Sequence, residues 1–294
     1  MRVLEIGSGP LLDRVRRLEG KDRAGRRQAV LDLLGELGLS PVREPYHAWG
    51  GAGENILVEF GQGEKLLLIS AHYDAVKGSP GANDNASGVS VLLEVCRRLG
   101  GYRPRNRLRA IFFDGEEPWL RLGPLRWGCV GSRAYLRAHG LDRTVALYNL
   151  EFCGLGDMVG IWPAGEGDRD ISALNSLQQV LKGQGVPYAL ARVPAILFSG
   201  DHRPFRQQGL RGALTLSLVP REEEVLLRSF ARSPWSAFRL WAARRRGGEG
   251  RVPLLFQRLH TPEDKAEYLR EDSLALMAEV LYRAVVALDT AEAI

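Results

Sequence analysis

Leu66-Leu67-Leu68-Ile69-Ser70-Ala71 is a nearly continuous apolar run, and His72-Tyr73-Asp74 comes directly after it. A short unbroken run of this kind is the pattern of a strand buried on both faces, which belongs in a sheet covered by helices. The flanking sequence extends that reading. Asn55–Phe60 precedes the run as a shorter strand, with Gly61-Gln62-Gly63 as the turn between them. Downstream, 86–99 carries Val89, Leu92, Leu93, Cys96 and Leu99 at helical spacing, closed by Gly100-Gly101. Residues 107–113, 145–150, 158–162 and 213–219 read as strands, and 132–138, 170–183 and 272–288 as helices. A helical stretch over 10–38 opens the chain. Buried strands alternating with amphipathic helices predict an α/β fold, a three-layer αβα sandwich with a mostly parallel mixed central sheet. Ligands of such sheets bind beyond the carboxyl ends of the strands.

With 294 residues, 45% of them hydrophobic, the chain can bury a sizeable core, and 26% charged residues exclude wholesale disorder. One domain is expected over 1–294, with a loop insertion around 220–258, where Glu222-Glu223-Glu224, Pro234 and the Gly- and Arg-rich 243–251 interrupt the pattern. No apolar run approaches the ~20 residues of a membrane helix, so no membrane association is expected. Met1-Arg2-Val3-Leu4-Glu5 carries an early acid and no apolar leader, and a cytoplasmic location is the expectation. The net charge of +5 and a pI near 9.3 raise nucleic-acid binding as a question. The arginines are dispersed and interleaved with acids, which describes a solvated surface, and no nucleic-acid partner is expected. Three widely spaced cysteines, Cys96, Cys129 and Cys153, offer neither a disulfide framework nor a thiolate zinc site.

The groups able to do chemistry fall at strand ends. His72 and Asp74 stand at i and i+2 on an extended chain, so the carboxylate can reach one imidazole nitrogen and leave the other for a metal. Gly81-Ala82-Asn83-Asp84-Asn85-Ala86-Ser87-Gly88 opens the 86–99 helix; Asp84 reads equally as a cap or turn residue and as a ligand. Asp114-Gly115-Glu116-Glu117-Pro118 comes after the 107–113 strand, and Gly115 and Pro118 break its alternation so that both glutamates can face one cleft. One could hold a metal while the other serves as a general base. Glu151 ends the Asn149-Leu150-Glu151 strand, where an unpaired carboxylate is costly. His260 lies in Leu259-His260-Thr261-Pro262-Glu263-Asp264, in which Thr261 and Asp264 read as capping residues. Imidazole and carboxylate donors without thiolates suit zinc, and five ligands suit two ions sharing a carboxylate.

In this order, His72-x-Asp74, the 81–88 stretch, Glu116-Glu117, Gly131-Ser132, Asn149-Leu150-Glu151, Asp201-His202-x-Pro204-Phe205 and His260-Thr261-Pro262-x-Asp264 resemble the motif series of the co-catalytic di-zinc aminopeptidases, a group that includes glutamate carboxypeptidase and glutaminyl cyclase. The resemblance runs from about residue 50 to the C-terminus. It implies a zinc exopeptidase fold, one zinc on His72, Asp84 and Glu151, a second on Asp84, Glu117 and His260, Glu116 as general base, and Asp74 orienting His72. It also implies a cis peptide between Asp84 and Asn85. The implied activity is hydrolysis of the N-terminal peptide bond, through a bridging zinc-bound water, of a peptide with a free N-terminus. Asp201 and His202 are expected at the rim, either supporting the metal ligands or contacting substrate, with Trp119, Trp127 and Phe152 lining an apolar side-chain pocket. Glu151 stands where relatives usually have Asp. The Asp114-Gly115-Glu116-Glu117 wording and the insert over 118–130 are similar to glutaminyl cyclases, whose single zinc defines the alternative. Leu259, where cyclases tend to have tryptophan, fits the peptidase pattern. The sequence leaves the oligomeric state open.

Overall fold

The computed structural model describes residues 9–48, 51–117, 120–122, 125–165, 167–168, 170–192, 200–233 and 252–291. The helical stretch at the N-terminus divides into α1 (Pro10–Leu18) and α2 (Arg23–Glu36). Gly20 adopts φ 68°, a left-handed conformation that ends the first helix, and Asp22 caps the second by accepting the Gly25 N–H at 2.8 Å. Then come β1 (Val42–Ala48), β2 (Gly51–Phe60) and β3 (Leu66–His72). A tight turn over Ala82–Ala86 leads into α3 (Ser87–Leu99), then β4 (Arg107–Phe113), a small hairpin of β5 (Leu120–Leu122) and β6 (Leu125–Trp127), and α4 (Val130–His139). The remainder is β7 (Thr144–Leu150), β8 (Met158–Trp162), α5 (Ser172–Gly183), β9 (Tyr188–Leu190), α6 (His202–Gln207), β10 (Ala213–Val219), α7 (Glu224–Arg232), α8 (Leu254–Gln257) and α9 (Glu271–Ala291).

One mixed sheet of eight strands runs in the order β1-β2-β4-β3-β7-β10-β8-β9. Its centre, β4-β3-β7-β10, is parallel throughout, and antiparallel pairings flank it at β2–β4 and β10–β8. Every residue of β3 is buried, as its unbroken apolar run requires. The pleat sends alternate residues to opposite faces. Leu67, Ile69 and Ala71 join the larger core with α1, α2, α3, α5 and α9, whereas Leu66 and Leu68 pack with Tyr135 and Leu136 of α4 and Phe205 of α6. Helices on both faces of one sheet make the three layers. The four parallel strands end at one edge, so the loops that leave them share that edge.

Part of the expected insertion at 220–258 is regular. Leu255, Phe256 and Leu259 pack with Phe230, Phe152 and Val219 in a third apolar cluster. Residues 234–251 lie outside the described residues. Among the described residues no helix is long and apolar enough to cross a membrane.

Candidate metal centre

Each reactive side chain is delivered by the end of a central strand or by the loop that covers it. His72 is the last residue of β3, Glu151 comes just after β7, and Glu116 and Glu117 come after β4. Gly115, with φ 67°, turns the chain after β4 as its position required, and both glutamates are buried. Asp84 lies in the turn before α3 and His260 in the loop after α8. The Asp84–Asn85 peptide is cis.

The imidazoles and carboxylates converge in two groups that share one acid. His72 Nε2 lies 3.3 Å from Asp84 Oδ1 and 3.3 Å from Glu151 Oε2. His260 Nε2 lies 3.1 Å from Asp84 Oδ2 and 3.0 Å from Glu117 Oε1. In each group the donor atoms all fall within 4.8 Å of one another. Asp84 therefore turns one oxygen to each imidazole, which a residue acting only as a helix cap would not do. Asp74 Oδ1 lies 3.4 Å from His72 Nδ1, and its carboxylate accepts the N–H groups of Glu116 at 3.1 Å and Glu117 at 3.0 Å. Asp74 thus links the histidine to the loop of the two glutamates, beyond the orienting role expected of it.

The electrostatics show what so many buried acids do to one another. Burial, joined by the charges of Glu117 and Glu151 and opposed by His72, pushes Glu116 well above the usual glutamate range. Burial and the Asp84 charge lift Glu117 to about 7. Burial alone would raise Asp84, but His260 and His72 on either side hold it well below the carboxylate range. Burial disfavours a charged His260, yet Glu117 and Asp84 outweigh it and lift the ring to about 9. The carboxylates favour positive charge at two points, around the His72 and His260 rings. His72 Nε2 is buried and aimed between two carboxylates at 3.3 Å, with no well-formed hydrogen bond among the described residues. Such an orphaned donor atom fits a cation better than a protein partner.

Two expectations for the surroundings change. Asp201 and His202 are buried rather than at the rim. They begin α6, whose Phe205 is wedged against Phe113 and Tyr135, with ring centroids 6.3 Å and 6.1 Å away, and this draws the helix start under the sheet edge. His202 Nδ1 meets the Thr215 hydroxyl at 2.7 Å and its ring stands edge-on to Trp162 at 5.2 Å. Burial, with Arg206 and Arg203 nearby, pulls His202 down to about 3, so it is neutral. Burial, opposed by the charge of His72 and a hydrogen bond from the Ser132 side chain, pushes Asp201 up to about 7. Phe152 is buried in the third cluster. Trp119 and the side chain of Trp127 lie outside the described residues.

One contributor reads in the sequence only as a capping residue. The buried Asp264 carboxylate accepts the backbone N–H of Asn83 at 2.8 Å and of Asp84 at 3.1 Å, so the His260 loop holds the Asp84 turn. Asn85 Nδ2 donates to the Leu150 carbonyl at 2.8 Å and Asn83 Oδ1 accepts the Gly154 N–H at 2.9 Å, tying the same turn to the Glu151 strand end. The Asp and Asn residues at 83–85 were the available signal, but their local turn-forming habit gave no direction for these bonds.

Fold and site together describe an open mixed α/β sheet that carries a buried imidazole–carboxylate cluster at its parallel edge. The chain belongs to peptidase family M28, whose model matches residues 55–285. It is 26% identical over 237 residues to aminopeptidase YwaD of Bacillus subtilis, an alignment covering 75% of this chain and 40% of that protein. Among solved structures it is similar to BSAP, a zinc aminopeptidase from Bacillus subtilis (23% identity, TM-score 0.58, 80% of this chain and 50% of that one). It is also similar to Porphyromonas gingivalis glutaminyl cyclase (19% identity, TM-score 0.68, 94% of this chain and 96% of that one). At these identities the structural likeness establishes the fold. The chain spans half or less of the length of the two aminopeptidases.

Proposed function

We propose that this protein is a zinc-dependent aminopeptidase that hydrolyses the N-terminal bond of peptides with a free N-terminus. The observation that carries the reading is the sharing of Asp84: its two oxygens face two separate imidazole–carboxylate pairs. His72, Asp84 and Glu151 would hold one ion, and Asp84, Glu117 and His260 the other. Oxygen and imidazole donors without thiolate suit zinc. Zinc bound there supplies Lewis acidity toward the scissile carbonyl and makes a water nucleophilic at neutral pH.

The chain's own residues do the rest. Glu116 is buried beside the cluster, with its backbone N–H held by the Asp74 carboxylate at 3.1 Å. It takes the proton of the attacking water and hands it to the leaving amine. Asp74 fixes both the His72 ring and the backbone that presents Glu116. Glu116→Gln is expected to keep its zinc and lose ~10²–10⁴-fold in kcat; full activity in that variant would remove Glu116 from the role.

The second reading is a glutaminyl cyclase with one zinc, favoured by the near-equal length of the cyclase structure and by the Asp114-Gly115-Glu116-Glu117 wording. Zinc analysis with parallel assays on aminoacyl-anilides and glutaminyl peptides separates the two. Two ions per chain with amine release support the peptidase; one ion with cyclisation overturns it.

A further inference from the structure

Arg26 of α2 is fully buried, yet among the described residues its hydrogen bonds run only to carbonyl oxygens: Nη1 donates to Tyr73 at 3.2 Å, and Nη2 to Pro80 at 2.6 Å and Gly81 at 2.8 Å. Among those residues its Nε has no hydrogen-bond partner. A buried cation without an ion pair is costly, so the surroundings must offset it. The acids whose charge favours the guanidinium are Asp74, Asp84, Asp264 and Glu117, all members of the metal centre or its supports.

The three carbonyls lie at the two ends of one loop. Tyr73 sits between His72 and Asp74, and Pro80 and Gly81 lead into the turn that carries Asp84. A planar guanidinium with several donors can span both ends, which a point charge cannot. The approach is close: a Cβ at residue 81, where φ is 65°, would lie 2.4 Å from Arg26 Nη2. Glycine is needed there both for its backbone and for the arginine. The turn before α2 adds a further tie, with the Gly20 N–H donating to the Pro80 carbonyl at 2.9 Å. One turn earlier on the same helix, Arg23 grips Asp114 through two bonds, at 2.5 Å and 2.7 Å, in the loop that leads to Glu116. Helix α2 precedes residue 55, where the family match begins.

We propose that Arg26 is a positioning residue of the metal centre: by clamping both ends of the 73–81 loop it sets Asp84 against His72, making the N-terminal helix part of the functional unit. The inference rests on the zinc-site reading above. The test uses the full chain as wild type, Arg26→Met and Arg26→Lys. Zinc affinity is measured by competition with a chromophoric chelator at a temperature where circular dichroism finds each protein folded, alongside the Tm of the metal-free forms and kcat and KM. Arg26→Met is expected to weaken zinc binding by ~10–100-fold, the usual effect of losing a group that supports a ligand, and to lower kcat more than KM. Arg26→Lys keeps the charge without the fork and falls between. Variants with lowered Tm but zinc affinity equal to wild type would reduce Arg26 to a staple of the fold and overturn the proposal. If Arg26→Met does not fold, the same comparison for Arg26→Lys decides. A wild-type protein that takes up no zinc would sink the metal-centre reading itself, and the clamp with it.

Discussion

His260→Ala probes the centre most directly. The imidazole stands 3.0 Å from Glu117 Oε1 and 3.1 Å from Asp84 Oδ2, so its loss leaves one donor group with two carboxylates. The other group, His72, Asp84 and Glu151, keeps all its donors. Zinc held by four protein ligands is worth ~10–16 kcal/mol, or ~2.5–4 kcal/mol per ligand. One lost ligand therefore weakens the affected ion by ~10²–10³-fold, at ~1.4 kcal/mol per tenfold. After dialysis against limiting zinc, mass-spectrometric metal analysis should find one ion per chain in place of two, and calorimetry should lose one binding phase. His202→Ala is the control. Its ring is committed to Thr215 and Trp162, so removing it should cost ~2–4 kcal/mol of stability through lost packing and leave the zinc count unchanged. Unaltered zinc in His260→Ala, or loss of zinc in His202→Ala, would refute the assignment of the two groups.

The same geometry sets three further outcomes. Zinc binding at pH 7 should release protons, because His260, lifted to about 9, and Glu117, at about 7, hold protons that the metal must displace; apparent affinity then rises from pH 6 toward 9, and binding heats that do not vary with buffer ionisation enthalpy would contradict this. Asp264→Asn should destabilise the protein by ~1–3 kcal/mol, since the new amide nitrogen would face one of the two N–H groups that the carboxylate now accepts; an unchanged urea midpoint would show that the turn is held otherwise. Leu281→Ala, at a fully buried position of α9, should cost ~2–5 kcal/mol in chemical denaturation with zinc uptake intact, and coupled loss of zinc would mean that this helix supports the centre.

Much of the architecture was legible because local pattern and final environment agree. The Leu66–Ala71 run is apolar at every step but Ser70 and every one of its residues is buried. The Ser172–Gly183 and Glu271–Ala291 helices match their apolar stripes within a few residues. The elements without a legible signal are those with weak patterns. The edge strand Val42–Ala48 is largely solvent-facing, Tyr188–Leu190 has only three residues, and the short helix from His202 rests on the packing of Phe205. The break between α1 and α2 is signalled by Gly20 and Asp22 but masked by the continuing leucine periodicity.

The α/β architecture and the placing of imidazoles and acids where strands end follow from the order of residues along the chain, because burial and turn chemistry are written in neighbouring residues. Which of them meet is set by long-range packing. Asp84 and His260 are far apart in the chain, and their contact depends on strand order and on the Asp264 bonds that bind one loop to the other. The burial of Asp201 and His202 and the reach of Arg26 into the 73–81 loop are likewise long-range packing outcomes. Periodicity records which face of an element is buried; it carries no record of what lies opposite.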